Sequence, residues 1–158
     1  MEIIFKDLKS IYPNAYSLLN FSPAEGLEDF RSLELPEDYY SLYTLISHEN
    51  EKSDGVFGLY RLLPACRSDA VIDPGSLKSY KLGKTAQVFI PIFQSPGRQQ
   101  LGYAKIDNSW VFCELDLGVE PIIQASLEEY LNNFHQKVKS EGYLEEDDLL
   151  GLIDEDDM

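Results

Sequence analysis

Bases, cysteines and long apolar runs are all scarce in this chain, and each scarcity excludes something. Thirteen Lys and Arg stand against 28 Asp and Glu, a formal net charge of −15. A field of that sign repels nucleic acid and anionic lipid, and it speeds encounter with basic proteins. Direct binding to DNA, RNA or a membrane surface is therefore not expected. Two cysteines, Cys66 and Cys113, do not make a disulfide framework. With no CxxC pair, and only His48 and His135 to join them, they read as reduced thiols in or near a core rather than as metal ligands. No apolar run approaches the ~18 residues of a membrane span. The opening "MEIIFKDLKS" lacks a signal-peptide pattern, so the expected location is cytoplasmic.

Catalytic signatures are missing as well. The chain has no GxGxxG, GxxxxGK[ST] or HExxH, and no GxSxG elbow. Its acid-rich end fails as a calcium loop: counted from Asp147, the third and fifth ligand positions fall on Leu149 and Gly151. No cofactor and no catalytic residue is expected.

What is present is enough apolar material for one core. Hydrophobic residues make up 44% of the 158, and the aromatics are mostly ten Tyr and eight Phe. A chain of this length fits a single domain. Residues 141 to 158, "EGYLEEDDLLGLIDEDDM", hold nine of the acids and no base, which leaves a net −6 on residues 1 to 140. The division expected is a domain over 1–147 and an acidic tail over 148–158. The tail reads either as a solubilising end or as an acidic-apolar docking segment, with Leu149, Leu152 and Ile153 on one face of a short helical turn.

Along the chain, apolar spacing predicts a short helix over residues 2 to 12, ended by Pro13. "FSPAEGLEDF" predicts a second helix start, with Ser22 as cap, Pro23 in the first turn and Glu25 completing a capping box; Leu27 and Phe30 would face the core. Pro36 opens another helix, with Glu37 and Asp38 in the first turn. Its face is Tyr39, Leu42, Tyr43 and Ile46, and it should stop near Ser47. The period then shortens. "VFGLYRLLP" and "AVID" read as strands, and "QVFIPIF" as an edge or bulged strand because of Pro91. "LGYAKID" and "SWVFCEL" flank Asp107-Asn108 and read as a β-hairpin. Alternation puts Trp110, Phe112 and Glu114 on one face, Val111, Cys113 and Leu115 on the other. "ASLEEYLNNFHQKVKSEG" predicts the closing helix, with a Ser126–Glu129 capping box, a stripe of Leu127, Tyr130, Leu131, Phe134 and Val138, and Gly142 as its C-terminal cap. The fold class expected is α+β: one mostly antiparallel, twisted sheet of about five or six strands, with N-terminal helices and a C-terminal helix packed on it.

These motifs, in this order, resemble the SUKH superfamily, whose Smi/Knr-like domain occurs in fungal cell-wall assembly regulators and in bacterial immunity proteins. Leu35, Pro36, Asp38 and Tyr39 are similar to the family's Leu-Pro-x-Asp-Tyr helix. Gly55, Gly58, Leu62 and Leu63 resemble its glycine-rich strand, and Ile90, Pro91 and Ile92 its hydrophobic-Pro-hydrophobic strand. The closing helix and acidic extension are similar too, so the resemblance spans roughly residues 22 to 147. "HEN" at 48–50 stands where the family has an Asn-Gly turn, and Phe89 where Trp is common. The resemblance implies a non-catalytic protein-binding domain. The reading taken from it is a cytoplasmic immunity protein, or antitoxin, that neutralises a basic toxin domain such as a nuclease. The alternative is a regulatory scaffold in cell-wall assembly or signalling. Charge and loop position nominate Glu49, Glu51 and Asp54, then Trp110, then Glu145, Glu146, Asp147 and Asp148, as partner-binding residues. The partner expected is a protein, and a second copy of the chain is a further candidate.

Overall fold

The computed structural model describes residues 1–53, 55–58, 60–65, 86–97, 99–115, 122–141, 143–146 and 149–152. Helix α1 (Glu2–Ile11) buries Ile4, Phe5 and Leu8, and Pro13 begins a separate single turn, α2 (Pro13–Tyr16). Strand β1 (Leu19–Asn20) pairs antiparallel with β2 (His48–Glu49). Between them lie a 3₁₀ helix over Leu27–Leu33 and helix α3 (Glu37–Leu45).

The 3₁₀ helix replaces the regular helix expected from "FSPAEGLEDF". Gly26 sits at φ 71°, so the chain turns left-handed just before it. Ser22 bonds Asn20 Oδ1 at 2.9 Å instead of capping a helix. Leu27 and Phe30 still pack against the core. In α3 the expected face is buried in full: Tyr39, Leu42, Tyr43 and Ile46 are all 0% exposed.

The main sheet is antiparallel and runs β3-β4-β5-β6-β7: β3 (Arg61–Leu62), β4 (Ala86–Gln94), β5 (Gln100–Ile106), β6 (Ser109–Leu115) and β7 (Ile122–Ile123). Pro91 lies in β4, an interior strand, with a register shift between Pro91 and Phe93. The bulge expected there is present, and the edge position is not. Opposite Pro91 stands Gly102, where an added Cβ would lie 2.1 Å from the Ile90 carbonyl oxygen. Two strands approach that closely only around a residue without a side chain. The β5–β6 hairpin turns through Asp107 (φ 49°) and Asn108 (φ 64°), the left-handed pair that a two-residue turn of matching twist requires.

"VFGLYRLLP" is not one strand. Phe57 and Tyr60 pair with each other around Gly58 (φ 67°), and only Arg61–Leu62 joins the sheet. A glycine in the left-handed region folds the run back on itself. "AVID", Cys66 and Gly142 lie outside the described residues.

The last helix, α4 (Leu127–Glu141), covers one sheet face. Phe57 is the hub beneath it, with ring centroids 5.2 Å from Phe93, 5.2 Å from Phe134 and 6.3 Å from Phe5. The opposite sheet face is buried too: Phe89, Ala104, Cys113 and Leu115 are 0% exposed and form a second, smaller cluster. Burial there pushes the Cys113 thiol up to about 12. Alternation along β6 is as the sequence indicates, with Trp110 and Phe112 turned to the main core and Cys113 and Leu115 away from it. This is the α+β arrangement expected: a five-stranded antiparallel sheet, N-terminal helices, and a C-terminal helix against it.

Beyond α4 the chain forms a hairpin. Strand β8 (Tyr143–Glu146) pairs antiparallel with β9 (Leu149–Leu152), Tyr143 opposite Leu152 and Glu146 opposite Leu149. The helical turn expected around Leu149 and Leu152 is therefore a strand. The 147/148 boundary falls between two paired strands, where the first strand supplies the backbone partners of the second.

Candidate functional site

Three polar constellations stand out among the described residues. The first closes the N-terminal end of α4. A helix begins with amides that have no partner inside it, and each here has one. Leu127 N–H donates to the Tyr103 hydroxyl at 3.1 Å, Glu128 N–H to Asp38 Oδ2 at 3.1 Å, and Glu129 N–H to Ser126 Oγ at 3.0 Å. Tyr130 N–H donates to the Ser126 carbonyl at 3.0 Å. Tyr103 in turn donates its hydroxyl proton to Asp38, 2.8 and 2.9 Å from the two carboxylate oxygens. Burial first, and Asp38 after it, hold the Tyr103 hydroxyl protonated far above the usual phenol range. Only the Ser126 share of this network is visible in local sequence.

The second lies between α1 and α4. His135 Nε2 meets Asp7 Oδ2 at 2.8 Å, and Lys139 Nζ lies 4.0 Å from the same oxygen. These groups rim a groove whose other walls are Ile4, Leu8, Ile11, Phe134 and Val138. The pairing ties the two helices across the sequence.

The third is an open cleft of about 400 Å³ at the β2–β3 corner, lined by His48, Glu49, Glu51, Arg61, Leu62 and Pro64. Glu49 is 2% exposed. Its Oε2 accepts the Val56 amide at 3.1 Å and its Oε1 the Leu62 amide at 3.2 Å. The Ser53 hydroxyl also donates to it, and Arg61 lies near enough to favour its charge. Burial outweighs these, and the carboxyl is pushed up to about 7. Glu51 is exposed, and its carbonyl accepts a bond from Arg61 Nη1 at 2.9 Å.

The nominated partner-binding residues are distributed unevenly over this structure. Glu49 does not face solvent as expected. Its carboxylate turns inward, because the Val56 and Leu62 amides on the two arms of the small hairpin need an acceptor. Glu51 faces solvent at the cleft. Trp110 is half-buried, its Nε1 donates to the Leu33 carbonyl at 3.2 Å, and Lys105 Nζ stands 5.6 Å over its ring. It anchors the 3₁₀ segment to the sheet and is no part of the cleft. Glu145 and Glu146 lie in β8. Asp54, Asp147 and Asp148 lie outside the described residues.

Hydroxyl ties recur at other tyrosines. Tyr40 donates to the Phe30 carbonyl, Tyr43 to the Leu63 carbonyl and Tyr130 to the Phe57 carbonyl, at 2.8, 2.8 and 2.9 Å. Each ring is core and each tip fastens an irregular segment, a division of labour suited to an amphipathic side chain.

Among the described residues no group of three or more His, Cys, Asp and Glu side chains is placed to hold a metal ion. Among them, too, no helix is long and apolar enough to cross a membrane. No protein-family model, no curated protein and no solved structure matches the chain.

Proposed function

We propose that this chain is a non-catalytic protein-binding domain of the immunity type, which occupies a basic toxin domain through its acidic surface. The observation that carries the reading is the charge distribution: 28 acids against 13 bases, with nine acids and no base in residues 141 to 158. A protein that grips phosphate is basic, and an acidic surface can fill its site in place of the nucleic acid. Supporting it, Asp38 and Glu49 accept backbone amides of the fold itself, and His135 pairs with Asp7. The SUKH-like order of motifs agrees with the same reading.

The test is co-expression with basic toxin domains, any encoded beside this chain first, followed by binding kinetics of the purified pair. Rescue of growth, and an association rate that falls steeply between about 50 and about 300 mM salt, are the expected results. A lack of both complex and rescue overturns the proposal.

A further inference from the structure

The main sheet has two edges, and the fold treats them differently. At the β3 edge, Leu63 N–H donates to the Ile92 carbonyl at 2.8 Å, so by alternation the Leu62 amide points away from the sheet. The Glu49 carboxylate accepts it at 3.2 Å. At the β7 edge, Gln124 N–H donates to the Phe112 carbonyl at 2.7 Å, so by the same alternation the N–H and C=O of Ile123 point outward. Among the described residues no strand lies on that side.

Sheet edges are ordinarily blunted by charge, proline or a cover. Glu49 and Arg61 do this for β3. Strand β7 has isoleucine at both positions, Ile122 53% and Ile123 60% exposed. Among the described residues they are the only exposed large apolar side chains adjacent in sequence. Ile122 stands opposite Glu114 and Ile123 opposite Cys113, so the two lie on opposite faces of the sheet. An added strand would meet apolar surface on either face. Proline at 121 has no amide to offer, which leaves Ile123 as the residue such a strand pairs with.

We propose that β7 is the docking edge for an extended, basic segment of the protein partner, which joins the sheet through the backbone of Ile123. This deepens the immunity-type reading above and rests on it for the partner being a basic protein. In strand addition, backbone bonds set the register and alternate side chains set the specificity.

Charge selects the occupant. Residues 106–136 hold six acids and no Lys or Arg. Of these, Glu114 is the register partner of Ile122, and Glu128 and Glu129 lie exposed in the first turn of α4, just beyond Ile123. A second copy docked edge to edge would bring these acids against their own counterparts. A strand alternating Lys or Arg with apolar residues would meet them with opposite charge and lay its apolar side chains beside the isoleucines.

Nitrogen-15 NMR titration of the whole protein with a short peptide of alternating Lys and Val tests the edge without any toxin. Its failure and the failure of the toxin rescue are therefore separate results. Shifts should centre on Ile122, Ile123 and Gln124, and the Ile123 amide should gain protection from hydrogen exchange. A peptide with Glu in place of Lys should not bind. Ile123→Pro removes the outward amide without removing a bond to β6, and should weaken binding on the order of 10-fold. Ile123→Ser keeps the backbone and, at an exposed position, the fold; it should weaken binding by roughly the same factor through lost apolar contact, and it decides the matter if the proline variant fails to fold. The proposal is overturned by an absence of binding, by shifts spread over the acidic surface, or by variants that bind like the parent. Protection of Ile123 that grows with protein concentration alone would mark a second copy as the occupant and overturn it equally.

Discussion

The Asp38 carboxylate accepts the backbone amide of Glu128, 3.1 Å away in space and 90 residues away in sequence. The N-terminal half of the chain thereby finishes a helix that belongs to the C-terminal half. Asp38→Ala should remove this cap and the acceptor of the Tyr103 hydroxyl together. Cap losses cost about 1 kcal/mol, and an unsatisfied buried hydroxyl adds about 1–3 kcal/mol. Urea unfolding should show a loss of about 2–4 kcal/mol with an unchanged slope. Tyr103→Phe should cost about 1–3 kcal/mol, because the Leu127 amide loses its partner. The double substitution should cost clearly less than the sum, since both remove one network.

Gly102→Ala probes the tightest point of the sheet. The added Cβ would meet the Ile90 carbonyl oxygen at 2.1 Å and the Pro91 Cα at 2.9 Å. Both contacts are backbone, so neither can rotate away. Thermal unfolding should show a loss above about 3 kcal/mol, or no folded protein, well beyond the ~1 kcal/mol of an average substitution. A stability within about 0.5 kcal/mol of the parent would mean that β4 and β5 are farther apart than described.

Local sequence made much of the fold legible, and the reasons are specific. The α3 face, the Asp107-Asn108 turn and the Ser126 cap follow from spacing and residue type within a few positions. "FSPAEGLEDF" misled because Ser22 and Glu25 form a capping box only if the next residues are helical, and Gly26 turns left-handed instead. "VFGLYRLLP" misled because apolar composition does not show whether Gly58 continues a strand or reverses it. In the candidate sites, Asp38 and Tyr103 gave no sign of each other, and Asp7 gave none of His135. Such pairs are set by tertiary packing over long separations, which single-sequence periodicity does not carry.

Glu49 makes a signed pH prediction. Its folded value lies above its unfolded one, near 7 against 4.5. The folded state therefore binds the extra proton between these values, and stability from this group is fully present below about pH 4.5. It is lost as the pH rises toward 7 and is level beyond. The stability difference between the parent and Glu49→Gln isolates this from the other acids. It should move against the parent by about 2–4 kcal/mol from pH 5 to pH 8, measured by urea unfolding at each pH.

Deleting residues 149–158 removes β9, the only recorded backbone partner of β8 among the described residues, together with Asp154, Glu155, Asp156 and Asp157. For the proposed complex, the expected outcome is weaker binding with a shallower dependence on salt, because part of the attraction is electrostatic. Titration calorimetry at two salt concentrations checks it. Unchanged affinity at both would assign the segment to solubility alone.

Cys113 gives the molecule a built-in clock. Its thiol lies in the second apolar cluster with no exposed surface, and burial holds it almost wholly protonated at neutral pH. Thiolate is the form that alkylating reagents attack, so the native state should ignore them. With Cys66 replaced by serine, labelling at position 113 would count excursions in which the sheet itself comes apart. Its rate would thus follow whole-fold opening alone.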